Sequence, residues 1–406
     1  MSLVAQRMRG LKPSSTIAMA ERARVLQAAG KHVISLASGE LDFDTPRHIA
    51  EAAARAIENG ETRYTAVGGT PALKNAVIAK FRDENGLNYR PDQIIVATGA
   101  KQIIFNAMLA SLDPGDEVIV AAPYWVSYPD MVELGGGVAI IASTSEASGF
   151  KLTAGGLAAA ITSRSRWLIL NSPCNPTGGV YSADELASLA AVLEKHPKIG
   201  VLTDDIYEHL RFSDQPFSTI AAVAPALMNR TLTVNGVSKA FAMTGWRIGY
   251  AGGPADLIDA MTKIQSQSTS NPSSIGQAAA LAALTGPKDF FGEVVTVLRR
   301  RRDLVVNALS AVPHLCCARP DGAFYVYADC RSLFGLMTRS GSVLENDSDV
   351  AGFLLDEALV ATVPGSSFGL SGYFRISYAS SDEDLAQACR RIAAAIGQLN
   401  GARSAS

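Results

Sequence analysis

From about residue 45, short uninterrupted apolar runs alternate with stretches whose apolar residues recur every three or four positions. The runs are Ile94–Ala97, Val118–Ala121, Val138–Ala142, Trp167–Leu170, Gly200–Leu202, Thr231–Val234 and Trp246–Ala251. Runs of this length suit strands covered on both faces, as in a parallel sheet between layers of helices. A helical pattern lies between most of them, as in Lys101–Leu112 and Ala183–Lys195. Earlier, Thr45-Pro46 and Thr70-Pro71 each predict a helix start, with Thr as the cap and Pro in the first turn. Ile49, Ala53, Ala56 and Ile57 then form one apolar face, Leu73, Val77 and Phe81 the other, and Gly60 and Gly86 are the expected stops. This alternation predicts an open, mostly parallel α/β domain.

The rhythm changes after a long charged helical segment around Glu293–Leu309. Ala323–Asp329, Leu359–Val363 and Tyr373–Ser377 read as strands, and Asp349–Ala358 and Glu383–Ile396 as helices. Ser340–Asp349 reads as a surface loop, and the tail from Asn400 as frayed. We expect a large domain over residues 45–290 and a smaller α+β domain over 291–406. Residues 1–44 are expected to be an N-terminal arm that begins the smaller domain.

Composition excludes several classes. The 406 residues carry 36 Lys+Arg against 38 Asp+Glu, a formal charge of −2, so nothing favours a nucleic-acid partner. With 48% hydrophobic residues the chain is a folding one, not a disordered one. No stretch approaches the roughly 20 apolar residues of a membrane span, and Met1 to Pro13 lack the apolar core of a signal peptide. Five scattered cysteines suggest neither a disulfide framework nor a metal site, so a reduced, cytoplasmic protein is expected. The histidines (His32, His48, His196, His209, His314) never fall at HxxxH spacing, and no metal is expected.

No GxGxxG or GxxxxGK[ST] motif is present. What remains is a set of polar residues at the C-terminal ends of the expected parallel strands, where open α/β sheets bind ligands. Gly99-Ala100-Lys101 opens a helix and offers backbone N–H groups to an anion. Trp125 could cover a flat cofactor or simply pack. Asn171 to Gly179 forms a Pro/Gly-rich turn that fixes Asn175, with or without a ligand. Asp204 and Asp205 end an apolar strand, where a carboxylate needs a partner. A metal lacks its histidines there and a ribose lacks its glycine fingerprint, which leaves a ring cation. Lys239 lies in an uncharged stretch and, desolvated, could form a Schiff base, while Arg247 could hold a phosphate. Taken singly, that pair is more ordinary as surface charge. Together, a ring-cation partner, an imine-forming lysine, a phosphate site and an aromatic cover describe pyridoxal phosphate (PLP).

Longer stretches carry a resemblance. Gly39-Glu40-Leu41-Asp42-Phe43-Asp44-Thr45-Pro46, Asn175-Pro176-Thr177-Gly178, Asp204-Asp205-Ile206-Tyr207 and Ser238-Lys239 through Arg247 are its main markers, with Asp113-Pro114-Gly115-Asp116. The chain resembles the class I aminotransferases of fold type I, most closely the bacterial aspartate aminotransferases of the subgroup that includes prephenate-active enzymes. The resemblance spans almost the whole chain and implies fold type I architecture, PLP as cofactor, and amino-acid and 2-oxo-acid substrates. It implies that Lys239 carries the cofactor and moves the substrate Cα proton, that Asp204 pairs with the ring nitrogen, and that Asn175 and Tyr207 bond the ring oxygen. Trp125 would stack on the ring. Gly99, Ala100, Lys101, Ser238 and Arg247 would surround the phosphate, with Tyr64 reaching it from a neighbouring subunit of a homodimer.

For the substrate, the resemblance implies that Arg375 grips the α-carboxylate, with Gly39, Trp125 and Asn175 lining the pocket. Ser15, Thr16 and Lys101 would meet a distal carboxylate, favouring L-aspartate with 2-oxoglutarate in a ping-pong cycle. The same Thr16 and Lys101 are also expected where prephenate is converted to arogenate, so prephenate or aromatic transamination is the alternative. Leu41 and Gly236 depart from the family pattern, which more often has Pro and, in some members, a phosphate-binding Ser.

Overall fold

The computed structural model describes residues 3–5, 8, 10–11 and 15–401, without the side chains of residues 15–17 and 401. Seven strands form the central sheet: β1 (Ile94–Ala97), β2 (Glu117–Ala122), β3 (Val138–Ser143), β4 (Ser165–Asn171), β5 (Gly200–Asp204), β6 (Thr231–Gly236) and β7 (Gly249–Gly252). Their spatial order is β1-β7-β6-β5-β4-β2-β3. Only β7 is reversed, antiparallel to both β1 and β6; the other pairings are parallel. Successive residues serve opposite faces. Val118, Val120, Ile169 and Leu202 belong to one apolar core, and Ile119, Leu168, Leu170 and Val201 to another. This two-sided burial is what the unbroken apolar runs encode.

Local departures from the sequence reading have local causes. Thr70 caps the helix Pro71–Asn85 as expected, its side chain accepting from the Leu73 N–H, and Gly86 ends it in the left-handed region (φ 68°). Thr45 does not cap Arg47–Glu58; Pro46 holds that position without a side-chain bond. The Thr45 hydroxyl instead donates to the Ala242 carbonyl and accepts from Trp246 Nε1, tying this turn to the loop after β6. Ile57 is 55% exposed, off the buried face formed by Ile49, Ala53 and Ala56. The run Trp246–Ala251 begins as a short 3-10 turn (Thr244–Trp246), and β7 starts only at Gly249. A Cβ on Gly249 would lie 2.2 Å from the Ala100 nitrogen, so glycine lets the strand pass under the helix Ala100–Ser111.

A second, four-stranded antiparallel sheet follows the helix Asp289–Ser310. It consists of β8 (Cys316–Cys317), β9 (Tyr325–Asp329), β10 (Val363–Pro364) and β11 (Tyr373–Ser377), in the order β10-β11-β9-β8. The expected strand Leu359–Val363 is two short pieces, of which Val360–Ala361 pairs in parallel with Ile34–Ser35. The polar stretch before residue 349 ends inside a helix, Asp347–Glu357, capped by the Asn346 side chain. Asn400 is not frayed but pairs with Met337. No described helix is long and apolar enough to cross a membrane.

Candidate active site

A cavity of about 560 Å³ opens where the C-terminal ends of the parallel strands meet β9 and β11. That size lies within the range of small-molecule and cofactor sites. Asp204 is the last residue of β5, paired in register with Asn171 at the end of β4. Tyr128 donates a 2.8 Å hydrogen bond to Asp204 Oδ2, while Oδ1 is buried without a partner. Burial raises the Asp204 carboxyl to about 6, against the hydrogen bonds from Tyr128 and the Ile206 backbone and the Lys239 charge. Adjacent Asp205 turns away, accepting from the hydroxyls of Thr203 and Thr219 at 2.6 Å each. Of the acidic pair, only Asp204 lines the cavity.

Lys239 enters from the loop after β6, and its Nζ donates to the Gly39 carbonyl at 2.6 Å. Its pKa is lowered to about 8, first by burial and then by the charges of Arg375 and Arg247, so a substantial neutral fraction exists near pH 8. Arg375, in the middle of β11, donates to Asn175 Oδ1 (2.9 Å) and to the Ala37 carbonyl (2.6 Å). Its guanidinium packs on the rings of Tyr325 and Phe368, and its Nε is buried without a partner. Asn175 is itself held by its backbone N–H on Asn171 Oδ1. The Tyr207 and Tyr325 hydroxyls lie 2.9 Å apart. Trp125 stands edge-on to Tyr128, with Lys101 Nζ 4.8 Å from its ring centroid.

The anion-binding corner is built from backbone constraint. Gly99 (φ 86°) precedes the helix Ala100–Ser111, and a Cβ there would fall 2.4 Å from Arg247 Nη2. Arg247 is itself left-handed (φ 58°) and donates to the Thr244 carbonyl. Its guanidinium thus lies against the first N–H groups of a helix, an arrangement suited to a phosphate. Gly236 is tight rather than free: a Cβ would meet the Gly249 Cα and the Ile248 carbonyl at 3.1 Å. Ser238 is buried beside Lys239 and lines the cavity.

The cavity therefore gathers Gly39, Ala100, Lys101, Trp125, Asn175, Asp204, Tyr207, Ser238, Lys239, Arg247 and Arg375; Gly99 does not line it but packs against the Arg247 guanidinium. Tyr64 is not among them; it stands 90% exposed on the surface. The side chains of Ser15 and Thr16 lie outside the described residues. Among the described residues one metal-compatible group exists, Glu84, Glu208 and His209. Lys80 and Lys288 already bond its carboxylates, so the chain supplies that cluster's cations itself.

The sequence pattern of the aminotransferases of class I and II matches residues 31–392. The chain belongs to this family. This aminotransferase is 54% identical over 396 residues to the aspartate aminotransferase of Rhizobium meliloti (strain 1021), covering 98% of this chain and 97% of that one. It is equally, 54%, identical to the aspartate/prephenate aminotransferase of Cereibacter sphaeroides (strain ATCC 17029 / ATH 2.4.9), over 97% of this chain and 98% of that one. A crystal structure of the Rhizobium meliloti aspartate aminotransferase superposes with a TM-score of 0.96 at 53% identity, over 98% of this chain and all of that one. The Thermus thermophilus aspartate aminotransferase with maleate gives 0.90 at 44% identity, over 97% and 100%. The fold is therefore the type I aminotransferase fold, an α/β domain with a mostly parallel sheet and a smaller α+β part.

Tyr128 and Tyr325, both lining this aminotransferase's cavity, escaped the sequence reading. Tyr128 opens the helix Tyr128–Leu134, three positions after Trp125, and nothing in the local pattern marks its hydroxyl. Tyr325 sits in an apolar strand pattern that carries no chemical mark.

Proposed function

We propose that the protein binds pyridoxal 5′-phosphate in this cavity and uses it to exchange the amino group between L-aspartate and 2-oxoglutarate. The observation that carries the reading is the juxtaposition of Lys239, its pKa lowered to about 8, with Asp204 Oδ1, buried and unpartnered in the same cavity. A buried carboxylate oxygen without a donor is costly, and a protonated ring nitrogen is the partner that would satisfy it. When bound, PLP supplies an electrophilic carbon for amines and a ring that accepts the electron pair released at the substrate's Cα.

The chain's own residues divide the remaining work. Asp204, held by Tyr128, keeps a ring N–H protonated. Asn175 and Tyr207 present polar atoms to the ring oxygen, and Trp125 covers a ring face. The Ala100 backbone, Gly99, Lys101, Ser238 and Arg247 hold the phosphate. Arg375, preset by Asn175 and the Ala37 carbonyl, takes the substrate α-carboxylate against the backbone of Gly39. Lys239 Nζ then takes up the proton lost from Cα. Because Arg375 serves donor and acceptor acids alike, one site suffices for a ping-pong cycle.

For the distal carboxylate we propose Lys101 with Ser15 and Thr16. The similarity to the aspartate aminotransferase of Rhizobium meliloti and to the Thermus thermophilus aspartate aminotransferase with maleate supports a dicarboxylic substrate. Prephenate is the second reading, favoured by the aspartate/prephenate name of an equally similar relative. A comparison of kcat/KM for L-aspartate, prephenate and phenylpyruvate separates them: negligible aspartate turnover beside rapid prephenate turnover would reverse the order. We further propose a homodimer, with the exposed Tyr64 reaching the neighbouring subunit's phosphate, and a cytoplasmic location consistent with five free thiols. A division into residues 1–44, 45–290 and 291–406 is supported by the pairing of Ile34–Ser35 with Val360–Ala361.

A further inference from the structure

Tyr325 has no part in the chemistry above, yet two halves of the cavity meet through it. It opens β9, is fully buried, and lies opposite Ser377 across the sheet from β11. Its ring carries the Arg375 guanidinium, whose carbon is 4.5 Å from the ring centroid. Its hydroxyl is 2.9 Å from that of Tyr207. A Cβ on Gly39 would come within 3.1 Å of the same oxygen, so the Gly39 backbone closes over it while bonding Lys239 with its carbonyl.

Two hydroxyls this close share one hydrogen bond, and either oxygen can be its donor. If Tyr207 donates, its only proton is spent inside the pair. If Tyr325 donates, the Tyr207 proton is left for an acceptor in the cavity. The cation over the Tyr325 ring polarises that phenol and makes it the better donor.

We propose that Tyr325 is a positioning residue: it donates to Tyr207, turns the Tyr207 proton into the cavity, and so couples the arginine for the substrate carboxylate to the bond made with the cofactor's ring oxygen. The inference rests on the PLP reading. It also gives Gly39 a second role, since any side chain there would crowd the Tyr325 hydroxyl.

The test is a double-mutant cycle on the PLP-reconstituted enzyme, with wild type, Tyr325→Phe, Tyr207→Phe and the double variant. The readouts are the pH midpoint of the visible absorbance without substrate, and KM against kcat. Phe at 325 keeps the ring and removes one oxygen, so the bed under Arg375 and the packing remain. Loss of the hydroxyl should raise the midpoint by about half a pH unit or more, because a donor that favours the ionised ring oxygen is weakened. KM for the amino donor should stay within about twofold, since the stacking of Arg375 is retained. In the Tyr207→Phe background the same change should shift nothing further. An equal shift in both backgrounds, or none in either, overturns the coupling through Tyr207. A wild-type protein that develops no absorbance band with PLP overturns the cofactor reading itself, and the coupling with it.

Discussion

The Tyr128 hydroxyl lies 2.8 Å from Asp204 Oδ2 and leaves Oδ1 of the same carboxylate buried and bare. One oxygen is thus anchored by the protein and the other is held for a ligand. Tyr128 is itself fully buried and edge-on to Trp125, so the anchor also braces the proposed ring cover. Removing it by Tyr128→Phe should push the Asp204 carboxyl further above about 6 and loosen its rotamer. A hydrogen bond to a charged group contributes about 1.5–3 kcal/mol, so PLP affinity at neutral pH should fall roughly 10- to 100-fold. Equilibrium titration of the apoprotein with PLP measures it; unchanged affinity would remove Tyr128 from the account.

Asp204 also makes a stability prediction. Its folded carboxyl is raised from 3.8 to about 6, so between those values the folded state binds more protons than the unfolded one. Stability from this group is therefore present at low pH and lost as pH rises through about 6. Asp204→Asn should stabilise the apoprotein at pH 8 by up to about 3 kcal/mol, with little effect near pH 4, while removing transamination. Thermal melts of both apoproteins across this range check the sign. An apoprotein destabilised at pH 8 by the amide would contradict it.

Lys239 titrates in the opposite sense, since its neutral form is the reactive one. With its pKa lowered to about 8, the rate of PLP capture by the apoprotein should climb through pH 7 to 8 and level off above, rather than near the ordinary lysine value of 10.5. Stopped-flow mixing over pH 6 to 10 locates the midpoint. Arg375→Leu, which removes the leading charge repulsion, should move that midpoint upward.

Away from the cavity, Lys80 pairs with buried Glu208, which Asn85 and Asn235 also bond. Lys80→Met leaves a buried carboxylate without its cation, an expected loss of about 3–5 kcal/mol in stability. The neighbouring Glu84, bonded by His209 and Lys288, is lowered to about 2. Its contribution is complete above the unfolded value of 4.5 and is lost as pH falls toward 2. Urea unfolding of the variant at pH 7, and of the wild type between pH 6 and 3, reads out both.

Seven apolar runs became seven strands; the inner ones were legible because burial on both faces leaves an unbroken apolar signature, whereas the edge strand β3 keeps its run with Val138 and Ile141 exposed. Motifs at strand ends were legible for a similar reason: Asp204 and Lys239 are charges where charge is expensive. What failed was whatever tertiary contact decides. Thr45 and Thr70 look alike before Pro, but only Thr70 caps, because Thr45 is claimed by Ala242 and Trp246 some 200 residues away in sequence. Trp246 reads as a strand residue, yet the chain must first turn to bring Arg247 to Gly99. Tyr128 and Tyr325 act through hydroxyls on otherwise apolar surfaces, and the polarity pattern cannot distinguish a packed ring from a placed donor.

Lys239 and Asp204 are proposed to serve one PLP-dependent amino transfer from L-aspartate. Its most direct test is the visible spectrum of the PLP-loaded protein during single half-reactions. L-Aspartate should abolish the visible band, 2-oxoglutarate should restore it, and Lys239→Ala should do neither. A band that persists with aspartate, or that once lost does not return with 2-oxoglutarate, would contradict the account.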